Sequence, residues 1–283
     1  MEASGILAMA WELPGTGAAE MGLFLVLGSV SAALISMAKA GFGSGVGLLA
    51  VPIMIYACGG DAPLATGIML PLLILCDNVA LLHWRGKWDG RQVRMLLPGT
   101  VVGVALGGAA LWAFGNMEGT EADERTSVGL KLAIGLISLG FVALQGLRGV
   151  RRLNRAYRPG MLQGLGFGAV AGVTSTLAHA AGPVTAMYLL PQQLGKSRFV
   201  ATTVLFYWLT NLLKLGPYVG LGLVGNVSLP ASVALVPAVV VGALLGIVLH
   251  KRVGERSFVG VVYALLGLAG AHLTYEAVEA LWF

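Results

Sequence analysis

The sequence predicts an all-α polytopic membrane protein made of two inverted-topology repeats, each a broken or re-entrant helical hairpin followed by three transmembrane helices. Three observations carry this expectation. Hydrophobic residues fill 57% of the 283 positions and charged residues only 11%, too few charges to solvate a soluble surface of this size. Apolar stretches near the ~20 residues a spanning helix needs recur almost to the end of the chain. Lysines and arginines gather in the short segments between them, where they set topology. The mean hydropathy of +0.84 and the 42 glycines agree, because small residues let membrane helices approach closely. A soluble enzyme, a disordered chain and a disulfide scaffold all fit poorly. The net charge of +5 is explained by the basic loops rather than by nucleic-acid binding. Cys58 and Cys76 form no metal or CxxC motif and read as free thiols in apolar surroundings.

Residues 1–20 carry Glu2, Glu12 and Glu20 and no lysine or arginine, so they read as an extracytoplasmic segment and not as a secretory signal. Residues 21–147 form the first repeat. Its apolar stretches are 21–38, 45–58, 63–84, 93–115 and 127–147, and 45–58 is too short for a comfortable span. It follows a break of small residues, as the returning arm of a hairpin does. Residues 148–159 are a basic linker with Arg148, Arg151, Arg152, Arg155 and Arg158, expected in the cytoplasm. Residues 160–283 form the second repeat, with stretches 160–178, 181–191, 199–224, 228–249 and 257–282; here 181–191 is the short arm. The clusters at Arg85, Lys87, Arg91 and Arg94, at Lys196 and Arg198, and at Lys251, Arg252 and Arg256 are also cytoplasmic by charge, and the segment with Glu118, Glu121, Asp123 and Glu124 is external. Each repeat then makes three net crossings, an odd number, so the second is inserted upside down relative to the first. Recurring spacings agree: Gly41 and Pro52 match Gly172 and Pro183, Asn78 matches Asn211, and Pro98, Gly103 and Gly107 match Pro237, Gly242 and Gly246.

The first break runs from Lys39 through Gly41, Gly43, Ser44, Gly45 and Gly47. Alternate glycines weaken a helix and bare its amides, and a helix restarting there aims its positive end at an anion. Close helix packing through glycine is the competing reading. The second break holds Thr174, Ser175, Thr176 and His179 before Pro183, a residue suited to the first turn of a restarting helix. Its hydroxyls either donate to an oxyanion or bond back to helix carbonyls. His179 either donates to an anion or moves a proton, or it is a satisfied interior histidine. Ionisable groups in apolar stretches default to function: Lys214 beside Asn211 is the deepest cation and Asp77 the deepest anion, with a Lys214–Asp77 ion pair as the structural alternative. Asp77 and His179 are the proton-coupling candidates. Lys131 lies near an outer end and snorkels. No HExxH motif and no second deep carboxylate occur, and Ser175 with His179 lacks the rest of a hydrolase constellation.

The stretch from Lys39 to Pro52, the block from Ala65 to Pro71, and the segment from Thr202 to Gly222 with Asn211 and Lys214 resemble the TauE/SafE family over about residues 21–280. These are sulfite exporter-like permeases, also described as the toluene sulfonate uptake permease family. The family's glycine motif reads like G-F-G-G-G; here Ser44 stands between Gly43 and Gly45. The resemblance implies transport of sulfur oxyanions or organosulfonates, outward in some members and inward in others.

The combined expectation is a transporter and not an enzyme, in a bacterial-type inner membrane with both termini extracytoplasmic. It would export sulfite or a small organosulfonate by alternating access at a midplane anion site. The site would comprise Lys39, Gly43, Ser44, Gly45, Thr174, Ser175, Thr176, His179, Asn211 and Lys214, with no metal and no cofactor. An ion-coupled importer of an organosulfonate or other small organic anion and an anion channel are the alternatives. The partners are the small anion and the lipid bilayer, with no nucleic acid.

Overall fold

Apolar runs become helices in a computed structural model of the chain, described over residues 18–43, 47–59, 61–115 and 158–282 with isolated positions between 132 and 143. In chain order the helices are α1 (Ala18–Phe42), α2 (Gly47–Ala57), α3 (Ala62–His83), α4 (Gly90–Gly115), α5 (Met161–Ala178), α6 (Ala181–Leu189), α7 (Lys196–Gly220), α8 (Ser228–Arg252) and α9 (Glu255–Trp282). No strand occurs among the described residues. Six of these helices, α1, α3, α4, α5, α7 and α8, contain a segment long and apolar enough to cross a membrane. The expected third span of the first repeat and the basic linker fall largely or wholly outside the described residues.

The polarity of the bundle is that of a protein solvated by lipid. Leu106 on α4 and Val241, Leu244 and Leu245 on α8 are exposed, while Lys39, Asp77 and Lys214 are buried. In water this arrangement would be unstable; in a bilayer the apolar belt faces a solvent of its own kind, and ionisable groups turn inward.

Local signals set the helix ends. Asp61 caps α3 by accepting the Leu64 amide at 2.8 Å, and Pro63 occupies the first turn. Gly86 and Gly195, both at positive φ, supply the turn after α3 and the entry to α7. The two short arms are α2, with 11 residues, and α6, with 9 residues. At 1.5 Å per residue they rise only ~16 and ~14 Å, about half a hydrocarbon core. Each arm follows a long helix and packs against it, as the expected hairpins require.

Helix α1 lies along α8, α5 lies along α4, and α3 and α7 meet each other between these pairs. Both long pairings are made through glycine. A Cβ on Gly41 would overlap the carbonyl oxygen of Gly246, and one on Gly242 would overlap that of Ala33. Across α4 and α5, Gly99 faces the Leu165 carbonyl, Gly103 the Ala169 carbonyl and Gly168 the Leu96 carbonyl, again with no room for a methyl group. For these positions close packing is what the glycines do.

Candidate functional site

Lys39, Asp77, His179 and Lys214 meet between α1, α3, α5 and α7. Lys39 stands in the last turn of α1, and its Nζ lies 2.6 Å from Asp77 Oδ1 on α3. The other Asp77 oxygen accepts from Asn211 Nδ2 on α7 at 2.8 Å. That contact fixes the Asn211 amide, since only its nitrogen can donate to a carboxylate. Asn211 Oδ1 is thereby turned towards Lys214 Nζ, a marginal hydrogen bond at 3.5 Å. Asp77 therefore pairs with Lys39, and Asn211 stands between it and Lys214; the direct Lys214–Asp77 pair is not formed.

Lys214 is fully buried. Its other partners come from the end of α5: it donates to Ser175 Oγ at 3.3 Å and lies 2.7 Å from His179 Nδ1. An ammonium has three protons, and these three neutral acceptors take them. A buried ammonium is costly unless it is satisfied, yet among the described residues no carboxylate touches Lys214. Its ring neighbour is Tyr218, whose centroid is 5.3 Å from Nζ, and Lys39 lies at the same distance from the ring of Tyr207. Both contacts are in cation–π range.

His179 occupies the break itself. It has left-handed backbone angles, φ 51° and ψ 26°, unusual for a residue with a Cβ. This residue ends α5. Its Nε2 lies 3.2 Å from the Thr66 carbonyl of α3. A carbonyl only accepts, so Nε2 carries the proton. Pro183 is the third residue of α6, within its first turn as expected.

The hydroxyls of the second break divide. Thr174 bonds to the Val170 carbonyl at 2.9 Å and Thr176 to the Gly172 carbonyl at 2.8 Å, so both take the back-bonded alternative. Ser175 alone among the three meets Lys214. In the first break, Gly43 has φ 71° and is packed so closely on α7 that a Cβ would overlap Thr203 Oγ1. Its amide bonds to the Ala38 carbonyl at 3.0 Å, which closes the end of α1. Ser44, Gly45 and Lys131 lie outside the described residues. The sequence-matched asparagines differ in surroundings: Asn211 is buried in the site, whereas Asn78 is exposed and accepts from Trp208 Nε1 at 2.9 Å.

Tyr207, Tyr218 and the Thr66 carbonyl join the site without having been expected there. The tyrosines had a readable signal. Positions 207, 211, 214 and 218 follow the spacing of one helical face, and all four are polar or aromatic and buried in α7.

Neither the curated proteins nor the solved structures gave a match. The family model described as Sulfite exporter TauE/SafE matches residues 26–273, nearly the whole chain and all four helices that build the polar cluster. The chain belongs to the TauE/SafE sulfite exporter family.

Proposed function

We propose that the protein exports sulfite, or a closely related sulfur oxyanion or organosulfonate, by alternating access at an anion site centred on Lys214. The observation that carries this reading is a fully buried lysine whose direct partners among the described residues are three neutral acceptors. An anion entering here trades its water for a charge already stripped of water. Ser175 adds a hydroxyl that accepts from Lys214 and keeps its own proton to donate. Lys39, Asn211 and His179 complete the surroundings. A negative charge leaving an inside-negative cell gains ~2.3 kcal/mol per 100 mV, so export needs no coupled ion.

The inverted-repeat reading is supported by the reciprocity of the packing. If α1 and α2 correspond to α5 and α6, and α3 and α4 to α7 and α8, then the α1–α8 pairing has its counterpart in α5–α4. The α3–α8 contact likewise has its counterpart in α7–α4. Each hairpin then leans on a helix of the other half. Rocking of one half against the other would expose the cluster first to one side and then to the other.

A second reading, import coupled to protons, is favoured by one feature. Lys39, Asp77, Asn211, Lys214, His179 and the Thr66 carbonyl form an unbroken chain of polar contacts from the last turn of α1 to the second turn of α3. His179 shares a proton with Lys214 and is the first coupling candidate; Asp77 is the second.

The test is sulfite flux from proteoliposomes holding the full chain, with an imposed potential. Saturable efflux that follows the potential and falls at least ~100-fold in Lys214→Met is the expected result. Normal flux in that variant would remove Lys214 from the pathway. Uptake driven only by a proton gradient would select the second reading.

A further inference from the structure

The cluster has a countable charge, and it is not zero. Asp77 contributes one negative charge that is pinned on both oxygens, by Lys39 at 2.6 Å and by Asn211 at 2.8 Å. Lys39 contributes one positive charge. Lys214 and His179 contribute at most one more between them, because two N–H groups cannot face each other at 2.7 Å, and an ammonium at Lys214, whose three acceptors match its three protons, supplies that one. Only one proton occupies that contact, and the other imidazole nitrogen donates to a backbone carbonyl. Among the described residues the remaining buried Asp, Glu, Lys, Arg or His is His250, which sits at the end of α8 against the Gly41 carbonyl and outside the cluster. Two positive charges and one negative leave the empty cluster at plus one.

We infer that the site is matched to a monoanion, an organosulfonate or hydrogensulfite, and that Asp77 is the residue that sets this valence against dianions such as sulfate. This rests on the anion-site reading above. A monoanion brings the buried cluster to neutrality. A dianion of the same tetrahedral shape overshoots and leaves an uncompensated charge away from water, which low-dielectric surroundings penalise heavily. Asp77 therefore acts as a built-in counter-charge: it cancels one lysine permanently and leaves one charge for the substrate. Hydrogen bonding alone would favour sulfate, which offers four acceptor oxygens where a sulfonate offers three, so the charge rule predicts the opposite order from the contact count.

The experiment titrates the purified full chain in detergent with methanesulfonate, with sulfate, and with dimethyl sulfone, a neutral molecule of similar shape. Wild type is expected to bind methanesulfonate about 100-fold more tightly than sulfate and to ignore dimethyl sulfone. Asp77→Asn raises the cluster to plus two and is expected to improve sulfate binding at least ~10-fold relative to methanesulfonate. Lys39→Met combined with Asp77→Asn returns the cluster to plus one and strands no buried charge. It should restore the wild-type order, and it decides the matter if the single variant does not fold. Equal binding of the two anions by wild type overturns the valence rule and leaves the anion site standing, as does an unchanged ratio in a folded Asp77→Asn. Binding of neither anion overturns the site and the rule together.

Discussion

The first hairpin breaks after Phe42 and the second after Ala178, and the two breaks meet different surroundings. At the first, the described glycines Gly41 and Gly43 are packing surfaces: Gly41 lies on the Gly246 carbonyl of α8 and Gly43 on Thr203 of α7. Among the described residues its contribution to the polar cluster is Lys39, one turn before the break. At the second, the break itself carries polar contacts to Lys214. Ser175 and His179 both contact Lys214, while the packing glycines Gly164, Gly168 and Gly172 lie further back along α5. Among the described residues the two hairpins thus divide close approach and polar contact differently. A helix break marks where backbone is irregular; the side chains next to it decide what the irregularity serves.

The sharpest way to break the comparison is to fill the packing glycines. Gly41→Leu puts a side chain into the backbone of α8, which cannot yield as a flexible side chain can. The expected cost exceeds ~3 kcal/mol, enough to lose most folded protein, with Gly172→Leu doing the same at the α4–α5 contact. Monodisperse yield on size-exclusion chromatography reads both. A folded Gly41→Leu with normal melting would mean that α1 and α8 are not held at this distance.

Next in size is a change at the second break that should spare the fold. Ser175→Ala removes one acceptor from Lys214 and the hydroxyl that would meet the substrate, so anion affinity should fall about 10-fold, the cost of one hydrogen bond to a charged group. Thermal unfolding in detergent should drop by no more than about a few degrees, since Lys214 keeps two acceptors. A variant that binds normally would place the anion elsewhere along the chain of polar contacts.

His179 separates backbone from side chain within one residue. Ala at this left-handed position is strained by about 1 kcal/mol, whereas Gly adopts it freely. His179→Gly should therefore melt above His179→Ala, while both lose the Lys214 partner and bind anion equally poorly. Equal melting would show that the break does not hold this residue in the left-handed conformation.

Much of this was legible in the sequence, and the omissions share a cause. The long helices, the two short arms and both breaks could be read from length, apolarity and small residues, which are local properties. Lys214, Asp77 and Asn211 could be read because polar groups in lipid are expensive wherever they point. Partnership was not legible. Asp77 takes Lys39 rather than Lys214 because α1 delivers Lys39 to it, and that depends on glycine-mediated approaches between helices far apart in sequence. Face was legible only in part. Successive residues on a helix are rotated by about 100°, so Asn78, one position beyond Asp77, reaches the bundle surface, and matching it to Asn211 by spacing says nothing about its surroundings. Tyr207 and Tyr218 were readable in principle from their periodicity with Asn211 and Lys214.

The smallest expected effect tests the division within the second break. Thr174, Ser175 and Thr176 are chemically alike and adjacent, yet only the middle hydroxyl meets Lys214. Thr174 and Thr176 close hydrogen bonds to carbonyls four residues back, bonds that bend a helix slightly and stabilise it little. Valine keeps their branched shape and removes the hydroxyl. Thr174→Val and Thr176→Val should therefore each keep anion affinity within about twofold of wild type, a change of under ~0.5 kcal/mol. The Thr176 carbonyl still accepts from the Tyr218 hydroxyl at 2.7 Å, because that contact is made by backbone and survives the substitution. Titration of the two variants beside Ser175→Ala reads the contrast directly. A loss in Thr176→Val as large as in Ser175→Ala would mean that the anion recruits this hydroxyl away from the Gly172 carbonyl, and the break would then act on its substrate through more than one rung of α5.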